Sequence, residues 1–298
     1  MKLIGLKAPD GNVCVADHTD ATTAEVIAEL REFWSDAAGH LDGSVVSAAR
    51  GQVDVADFEI VPPVLPEARV ICIGLNYQAH HAEGSFKDQA FPEHPTLFAR
   101  WTRSLTVSGS QVPVPSGERG LDWEGEIVAY VGAELADVDE HEALAAVVGY
   151  STFNDITSRI AQKLTSQWIL GKNGDMSGPI GPMIPAGEVG DLRDGLRIQT
   201  RVNGEVVQDG NTADIVYTVG STLSLISRTF TLRPGDLLAT GTPEGVGYTR
   251  QPEWLLHPGD TVEVEVDGLG TLTNTVVGNE ARTVQGTDHS SAHTTVTI

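Results

Sequence analysis

Two glutamates, Glu124 and Glu126, stand two residues apart in the apolar run LDWEGEIVAYVG. The run predicts a strand from Trp123 to Val131, in which side chains at positions i and i+2 point to the same face. Carboxylates held that close together need a counter-ion or a shared proton. A solvated strand face is the common alternative for such a pair. The apolar residues around this pair favour a buried site.

A third acid, Asp155, ends the strand-like segment VVGYSTFN and precedes a helix-like segment. An aspartate at such a position often caps a helix, and the spacing alone leaves that interpretation open. Three carboxylates without a nearby cysteine also suit a hard divalent cation, Mg²⁺ or Mn²⁺ more than Zn²⁺. Such a site would leave about three octahedral positions for substrate and water, as a catalytic metal site requires.

Cationic and amide side chains follow Asp155 closely in the sequence. Arg159 and Gln162 share a face if their segment is helical. Lys172 lies in the stretch WILGKNGDMSGPIGP, whose glycines and prolines predict a loop. Each of these residues, taken alone, is most often an ordinary surface residue. Together they would place two cations and an amide beside the metal, which is what stabilisation of a developing oxyanion requires.

The segment GLNYQAHHAEGS places His80, His81 and Glu83 directly after the apolar run ARVICIG. A metal-ligand cluster, a catalytic pair and a polar loop are the three interpretations. His80 and Glu83 share a face if this stretch is helical, so the carboxylate could hold one imidazole tautomer. The glycine, the charges and the few aliphatic residues after Tyr77 predict that the loop from Asn76 to about Pro95 is a lid that orders over a bound ligand.

The elements that position these residues fall into three segments. Residues 1–62 predict a small N-terminal α/β module with two strands, KLIGLKA and VCVAD, and a helix over TAEVIAELREFWSDAAGHL. Residues 63–278 predict an α+β domain with a mixed sheet, because short β-branched runs alternate with glycine and proline turns. Helical periodicity appears at HEALAAVVGY, SRIAQKLTSQWIL and VGSTLSLISRTF. Residues 279–298 form a polar tail with few large apolar side chains.

Composition excludes several classes of function. The chain has 298 residues and a formal net charge of -22, which argues against binding to nucleic acid or to anionic lipid. No stretch approaches the ~20 apolar residues of a membrane helix, and the N-terminal segment becomes polar too early for a secretory signal. Cys14 and Cys72 form no CxxC pair, so no disulfide framework is expected. We expect a soluble cytoplasmic protein with a small-molecule substrate.

Six motifs, found in one order between about residues 68 and 278, resemble those of the fumarylacetoacetate hydrolase family. The matching residues are Asn76, Tyr77, His80 and Glu83 for NYxxHxxE; Glu124 and Glu126 for ExE; Asn154, Asp155, Arg159 and Gln162 for the N-D, R and Q stretch; Gly171, Lys172, Asp175, Pro179, Gly181 and Pro182 for the GK to PxGP stretch; Asn211 and Thr212 for DGNT; and TGTPEGVG for the TGTPxGVG loop. Six ordered matches are far more specific than any single one.

The resemblance implies the family's mixed-sheet, β-roll type of catalytic domain, preceded here by the small N-terminal module, and commonly a homodimer. It implies that Glu124, Glu126 and Asp155 hold Mg²⁺ or Mn²⁺. It also implies that His80 and Glu83 form a water-activating dyad on a mobile loop. His81 has no counterpart in that motif.

The activity that the resemblance implies is metal-dependent hydrolysis of a C–C bond in a β-diketo acid, such as an acylpyruvate or fumarylpyruvate. Water held by His80 would attack a carbonyl and an enolate would leave, while Lys172, Arg159 and Gln162 stabilise the developing charge. The expected substrate contacts are Tyr77, Arg100, Asn211 and Thr242.

Two other functions stay open on these residues. Decarboxylation, isomerisation or hydration of a 2-oxo acid would use the same metal without an attacking water. A non-catalytic binding protein on this fold is a different class, and it would be expected to lack a ligand or the dyad. Neither is missing from this sequence.

Overall fold

The computed structural model describes residues 1–18, 20, 22–83 and 91–280. The N-terminal elements are β1 (Leu3–Lys7), β2 (Val13–Asp17), β3 (Thr23–Glu29), α1 (Leu30–Ser35), α2 (Ala37–Asp42), β4 (Gly51–Asp54) and β5 (Glu59–Val61). The next elements are β6 (Val70–Gly74), α3 (Gln78–Glu83), β7 (Thr96–Arg100), β8 (Leu105–Thr106), β9 (Gln111–Pro113), β10 (Gly125–Val131), α4 (Glu140–Ala145), β11 (Val147–Asn154), α5 (Arg159–Gln162) and α6 (Ile169–Lys172). The last are β12 (Gly178–Pro179), β13 (Ile184–Pro185), α7 (Ala186–Val189), β14 (Arg197–Val202), β15 (Glu205–Asn211), α8 (Val219–Ser227), β16 (Leu237–Ala239), β17 (Thr261–Val266) and β18 (Gly270–Val277).

Three sheets of five or six strands form the framework. The N-terminal sheet has the order β4-β3-β2-β1-β5 and is antiparallel. The central sheet has the order β13-β11-β10-β16-β6-β7, in which only β16 and β6 are parallel. The third has the order β15-β14-β17-β18-β9, with β18 and β9 parallel. Strands of both directions and short helices confirm the predicted α+β class with mixed sheets.

Strand β10 explains how the central sheet is buried on both faces. Ile127 and Ala129 pack into a core shared with α8 and the third sheet. Val128 and Tyr130 point the other way, into a core shared with the N-terminal segment. This alternation is the period of two that a strand imposes. It accounts for the near-continuous apolar run that surrounds Glu126 in the sequence.

The N-terminal sheet is joined to the central sheet through α1. Trp34 on α1 stacks on Tyr130 with ring centroids 5.9 Å apart, and its Nε1 donates to the carbonyl of Pro63 at 2.9 Å. Phe33 belongs to the same core cluster. The N-terminal segment therefore shares a core with the central sheet, and the domain boundary at residue 62 stays a prediction.

Three of the predicted helices differ in the structure. Residues 23–29 form strand β3 instead of helix, because Ala24, Val26 and Ala28 are buried between neighbouring strands and β3 pairs with β2 and β4. The segment HEALAAVVGY is helical only to Ala145, after which β11 begins. The segment SRIAQKLTSQWIL forms two single turns, α5 and α6. Thr165 separates them, since its Oγ1 bonds to the backbone of Gln167 and competes with helix formation.

The predicted turns are confirmed. Asn203 and Gly204, both at positive φ, connect β14 to β15. The Pro-Gly turns at residues 234–235 and 258–259 lead into β16 and β17. Residues 84–90 of the predicted lid and residues 281–298 of the predicted tail lie outside the described residues.

Cys14 and Cys72 are both free, as predicted. Among the described residues, no helix is long and apolar enough to cross a membrane.

We predict that Trp34→Ala destabilises the whole protein, because it opens a cavity in the core that the N-terminal and central sheets share. Removal of a buried tryptophan side chain costs about 3–5 kcal/mol of unfolding free energy. Thermal denaturation should show one transition at a lower temperature. Val46→Ala, at a side chain that is 65% exposed, is the control. An unchanged melting temperature in Trp34→Ala would show that this core does not join the two sheets.

Candidate active site

Three buried carboxylates meet at one end of β10 and β11. Ligand oxygens of Glu124, Glu126 and Asp155 all lie within 4.8 Å of one another. The strand pairing brings them together, because the Asp155 N–H donates to the Glu124 carbonyl at 2.8 Å just beyond the β10–β11 ladder. Glu124 precedes the observed strand, which begins at Gly125 and not at the predicted Trp123. The predicted proximity of the three acids is therefore present.

Lys172 lies between two of these carboxylates. Its Nζ donates to Glu124 Oε2 and to Asp155 Oδ2, both at 2.6 Å. Lys172 ends helix α6, so its placement in a loop was wrong. The Ser158 N–H donates to the Gly171 carbonyl at 2.8 Å, which ties the turn that carries Lys172 to the start of α5.

Arg159 at the start of α5 bonds to a fourth buried acid, Asp122. The Asp122 Oδ2 accepts from Arg159 Nε at 2.7 Å, and Arg159 Nη2 also lies 2.7 Å from Glu124 Oε1. Arg159 Nη1 donates to Gln162 Oε1 at 3.0 Å, which leaves the Gln162 amide nitrogen as a donor for a ligand. Asp122 was not among the predicted site residues. The available signal was its spacing, since residues 122, 124 and 126 alternate with apolar residues.

The charges of the cluster shift its pKa values in opposite directions. Burial raises the pKa of Glu124, but Lys172 and Arg159 outweigh it and lower that pKa to about 2. Burial, together with the Asp155 and Glu124 carboxylates, raises the pKa of Glu126 well above its usual range. Glu124 has ion pairs with Lys172 at 2.6 Å and with Arg159 at 2.7 Å, whereas Glu126 has none within the part of the chain that the structure describes. Glu126 is the carboxylate that most needs a proton or a further cation.

His80 and Glu83 form the predicted pair on α3. His80 Nδ1 lies 2.8 Å from Glu83 Oε1. The Glu83 carboxylate also accepts from the Gly245 N–H at 2.9 and 3.0 Å. Nε2 is therefore the imidazole nitrogen left for a ligand. His81, in contrast, packs on the Phe91 ring at 5.2 Å.

The loop at residues 240–248 holds three separate acids through backbone amides. Gly241 N–H donates to Glu126 Oε2 at 3.0 Å, Gly245 N–H donates to Glu83, and Gly247 N–H donates to Asp122 Oδ1 at 2.7 Å. At Gly245, which has a positive φ, a Cβ would overlap with the Val207 carbonyl, and a Cβ at Gly247 would overlap with that of Trp254. The glycines of TGTPEGVG thus allow the loop to approach these groups closely.

A cavity of about 310 Å³ opens onto this cluster. Its lining residues are Ile73, Gly74, Leu75, His80, Phe98, Glu124, Glu126, Arg159, Gln162, Lys163, Thr165, Trp168, Lys172, Thr242 and Tyr248. The predicted acidic, basic and amide residues thus share one cavity with His80, except for Asp155 and Glu83, which bond to groups that line it. Thr242 is the one predicted substrate contact that lines the cavity.

The other three predicted substrate contacts lie elsewhere. Arg100 is fully buried and donates to Asp155, Ile156, Ser104 and Ser177, so its N–H groups are engaged by the protein itself. Asn211 caps the 3₁₀ turn at Thr212–Asp214 through a bond from the Ala213 N–H. Tyr77 lines a separate cavity beside Asp214 and Glu244. The structure supports a positioning role for Arg100 in place of a substrate contact.

The acid cluster fits a hard divalent cation. Four carboxylates, those of Asp122, Glu124, Glu126 and Asp155, face three cations, Arg100, Arg159 and Lys172. Fully ionised, the cluster has one excess negative charge. Oxygen donors are the ligands that Mg²⁺ and Mn²⁺ prefer. The group at Glu124, Glu126 and Asp155 could therefore hold either ion.

The mixed-sheet fold carries a buried acid cluster that could hold a metal ion, and the cluster shares one cavity with His80. The model of the fumarylacetoacetate (FAA) hydrolase C-terminal domain matches residues 69–277. The chain belongs to the fumarylacetoacetate hydrolase family, as the sequence resemblance implied.

Relatives in this family have different activities. An oxaloacetate tautomerase of Xenopus laevis, mitochondrial by its name, is 31% identical over 278 residues, covering 92% of this chain and 86% of that protein. The fumarylpyruvate hydrolase of Pseudomonas aeruginosa, solved with Mn²⁺ and pyruvate, has a TM-score of 0.64 and 34% identity, covering 74% of this chain and 91% of that one. The 5-carboxymethyl-2-hydroxymuconate delta-isomerase of Mycobacterium smegmatis has a TM-score of 0.73 and 29% identity, covering 93% and 100%.

We predict that Glu126→Gln stabilises the metal-free protein at pH 8. A carboxyl group whose pKa is raised on folding favours the folded state less as pH rises above the pKa of the unfolded chain, about 4.3 for glutamate. The neutral amide removes this cost. The gain in melting temperature should therefore be largest at pH 8 and should vanish near pH 4, as measured by thermal denaturation with a chelator.

Glu205→Gln, at an exposed strand position, is the control for this pH series. A metal-free Glu126→Gln protein that melts below wild type at pH 8 would contradict the charge assignment.

Proposed function

We propose that the chain is a divalent-metal-dependent enzyme that moves a proton at the carbon next to the carbonyl of a 2-oxo acid, with keto–enol tautomerisation of oxaloacetate as the first candidate. The observation that carries the proposal is the position of His80. Its ring lines the cavity that contains Glu124 and Glu126, while Nδ1 is held by Glu83. An acid–base group thus faces the place where a metal-chelating substrate must bind.

Glu124, Glu126 and Asp155 would hold Mg²⁺ or Mn²⁺, which polarises the oxygens of a bound 2-oxo acid as a Lewis acid. With a divalent ion held there, the sign of the cluster would be reversed, because two positive charges outweigh the one excess negative charge of the fully ionised groups. An anionic substrate can then enter a cavity of a protein whose formal net charge is -22.

Different residues of the chain would accept the proton, stabilise the enolate and orient the substrate. His80 Nε2 takes a proton from the carbon next to the carbonyl, and Glu83 stabilises the imidazolium that forms. Arg159, Lys172 and the amide of Gln162 face the cavity and stabilise charge on the enolate oxygen. Thr242 supplies a hydroxyl to orient the substrate. Protonation of the enolate on oxygen gives the enol. In the opposite direction the enol loses its O–H proton and the His80 imidazolium delivers a proton to the carbon, which gives the ketone.

Two kinds of relative support this choice. The Xenopus laevis relative, which aligns with 92% of this chain, is named an oxaloacetate tautomerase. The Mycobacterium smegmatis neighbour is named an isomerase. Tautomerisation and isomerisation of this type both need a proton to be moved and do not need water to attack.

C–C hydrolysis of an acylpyruvate is the second candidate, and two observations favour it. The His80–Glu83 pair can activate water as well as a C–H bond. The cavity, at about 310 Å³, is within the range of small-molecule sites and has room for an acid larger than oxaloacetate. The deciding assay supplies enolic oxaloacetate and acetylpyruvate in parallel with Mn²⁺. Loss of enol without pyruvate release supports the tautomerase, whereas pyruvate from acetylpyruvate supports the hydrolase.

We predict that Mn²⁺ or Mg²⁺ raises the melting temperature of wild type and not that of Glu126→Gln. A ligand present at 100 times its dissociation constant stabilises the folded state by about 2.7 kcal/mol. Chelation should abolish turnover of 2-oxo acids, and added Mn²⁺ should restore it. Full activity after exhaustive chelation would rule out a metal-dependent mechanism.

We predict that His80→Ala lowers kcat on the true substrate by at least ~10²-fold with little change in KM, since general base catalysis is worth ~10²–10⁴-fold. Glu83→Gln should lower kcat less, because the imidazole remains. His81→Gln is the matched control, as the neighbouring ring packs on Phe91 and does not line the cavity. Equal losses in His80→Ala and His81→Gln would indicate damage to α3 in place of a catalytic role.

A further inference from the structure

Lys163 is a cation at the mouth of the cavity that the proposed chemistry does not use. It follows α5 as the residue that caps its C-terminal end, and its N–H donates to the Ile160 carbonyl at 3.1 Å. The side chain is exposed, yet it lines the same cavity as His80 and Glu126. Its backbone is thus fixed while its ammonium can reach a ligand.

The Lys163 ammonium has no carboxylate partner among the residues that the structure describes. Lys7 pairs with Glu59, and Lys172 pairs with the acids of the cluster. Lys163 instead places Nζ 4.6 Å from the centre of the Tyr248 ring. That contact holds a cation in place without neutralising it, because the ring carries no net charge.

The buried acids and the exposed Lys163 lie at opposite ends of the cavity. Glu126 is 1% exposed and Glu124 is 6% exposed, so they form the floor. The Tyr248 ring lies between the floor and the mouth. Its centre is 4.2 Å from Cζ of the buried Arg159, and the same ring contacts Lys163. A 2-oxo acid whose carboxylate and carbonyl reach the floor must extend its other end towards the mouth.

We propose that Lys163 binds the distal carboxylate of a dicarboxylic 2-oxo acid and thereby selects such substrates over monocarboxylic ones. This proposal rests on the proposed function, which places the 2-oxo group at the acid cluster. Nζ donates a charge-assisted hydrogen bond to the distal carboxylate. The net charge of -22 opposes entry of a dianion, and an unpaired cation at the mouth offsets that repulsion locally.

The test compares two unreactive ligands that share one chelating end. N-oxalylglycine carries a distal carboxylate, and oxamate lacks it. Calorimetry on the Mn²⁺-loaded protein measures both affinities in wild type and in Lys163→Met. We expect Lys163→Met to lower the ratio of N-oxalylglycine affinity to oxamate affinity about tenfold, the scale of one hydrogen bond to a charged group. Lys163→Arg should retain most of the wild-type ratio.

Lys7→Met is the matched control, because it removes the same charge from the N-terminal sheet. An unchanged ratio in Lys163→Met, an equal drop in Lys7→Met, or no binding of N-oxalylglycine to wild type would each overturn the proposal. Turnover separates it from the proposed function. If the affinity ratio drops as expected but wild type converts no 2-oxo acid, then the assignment of Lys163 stands and the proposed reaction fails.

Discussion

The donation of backbone N–H groups from one loop to three acids is the interaction on which the rest of the site depends. The loop at residues 240–248 bonds to Glu126 in the acid cluster, to Glu83 behind the imidazole and to Asp122 behind Arg159. Hydrogen bonds to charged groups contribute about 1.5–3 kcal/mol each. Because these amides belong to one short segment, Glu126, Glu83 and Asp122 are held in fixed relative positions.

The charge balance of the cluster explains why so many ionisable groups can be buried together. Burial of one unpaired carboxylate is strongly unfavourable, so each acid here has cations or amide donors as partners. Lys172 and Arg159 lower the pKa of Glu124 to about 2 against the effect of burial, whereas the pKa of Glu126 is raised. This difference in pKa between Glu124 and Glu126 indicates that a divalent cation beside Glu126 would supply the missing positive charge.

Much of the site could be predicted from the sequence, because period-two spacing on a strand is a local rule and the family motifs supply the remaining residues. Period-two spacing placed Glu124 beside Glu126, whereas spacing left open whether Asp155 caps a helix, and the family resemblance added it to the cluster that the structure shows. Asp122 was missed because the predicted strand began at Trp123. The rule that places every second side chain on one face was therefore not extended back from Glu124 to Asp122. Arg100 was assigned to the substrate because sequence does not show that Asp155 and neighbouring groups already occupy all of its donors.

The fold class could also be predicted, while the local type of some elements could not. Residues 23–29 have helical propensity, but tertiary pairing of β3 with two neighbouring strands overrides it. The homodimer, the cytoplasmic location and the domain boundary remain predictions. A tautomerase and a hydrolase differ in whether the base acts on a C–H bond of the substrate or on a bound water molecule. The types of the residues in the site do not specify which of these is positioned beside the base.

On the proposed function, the acid cluster binds anions only when it holds a divalent cation. The most direct test of this dependence is calorimetric titration of oxalate into two samples of the protein. One sample contains Mn²⁺, and the other contains an excess of chelator. Oxalate has the same chelating oxygens as a 2-oxo acid and cannot react. We predict clear binding with Mn²⁺ and none in the chelator, because the fully ionised cluster carries one excess negative charge and the metal-free protein offers no cation for oxalate to chelate. Equal oxalate affinity under the two conditions would contradict the account.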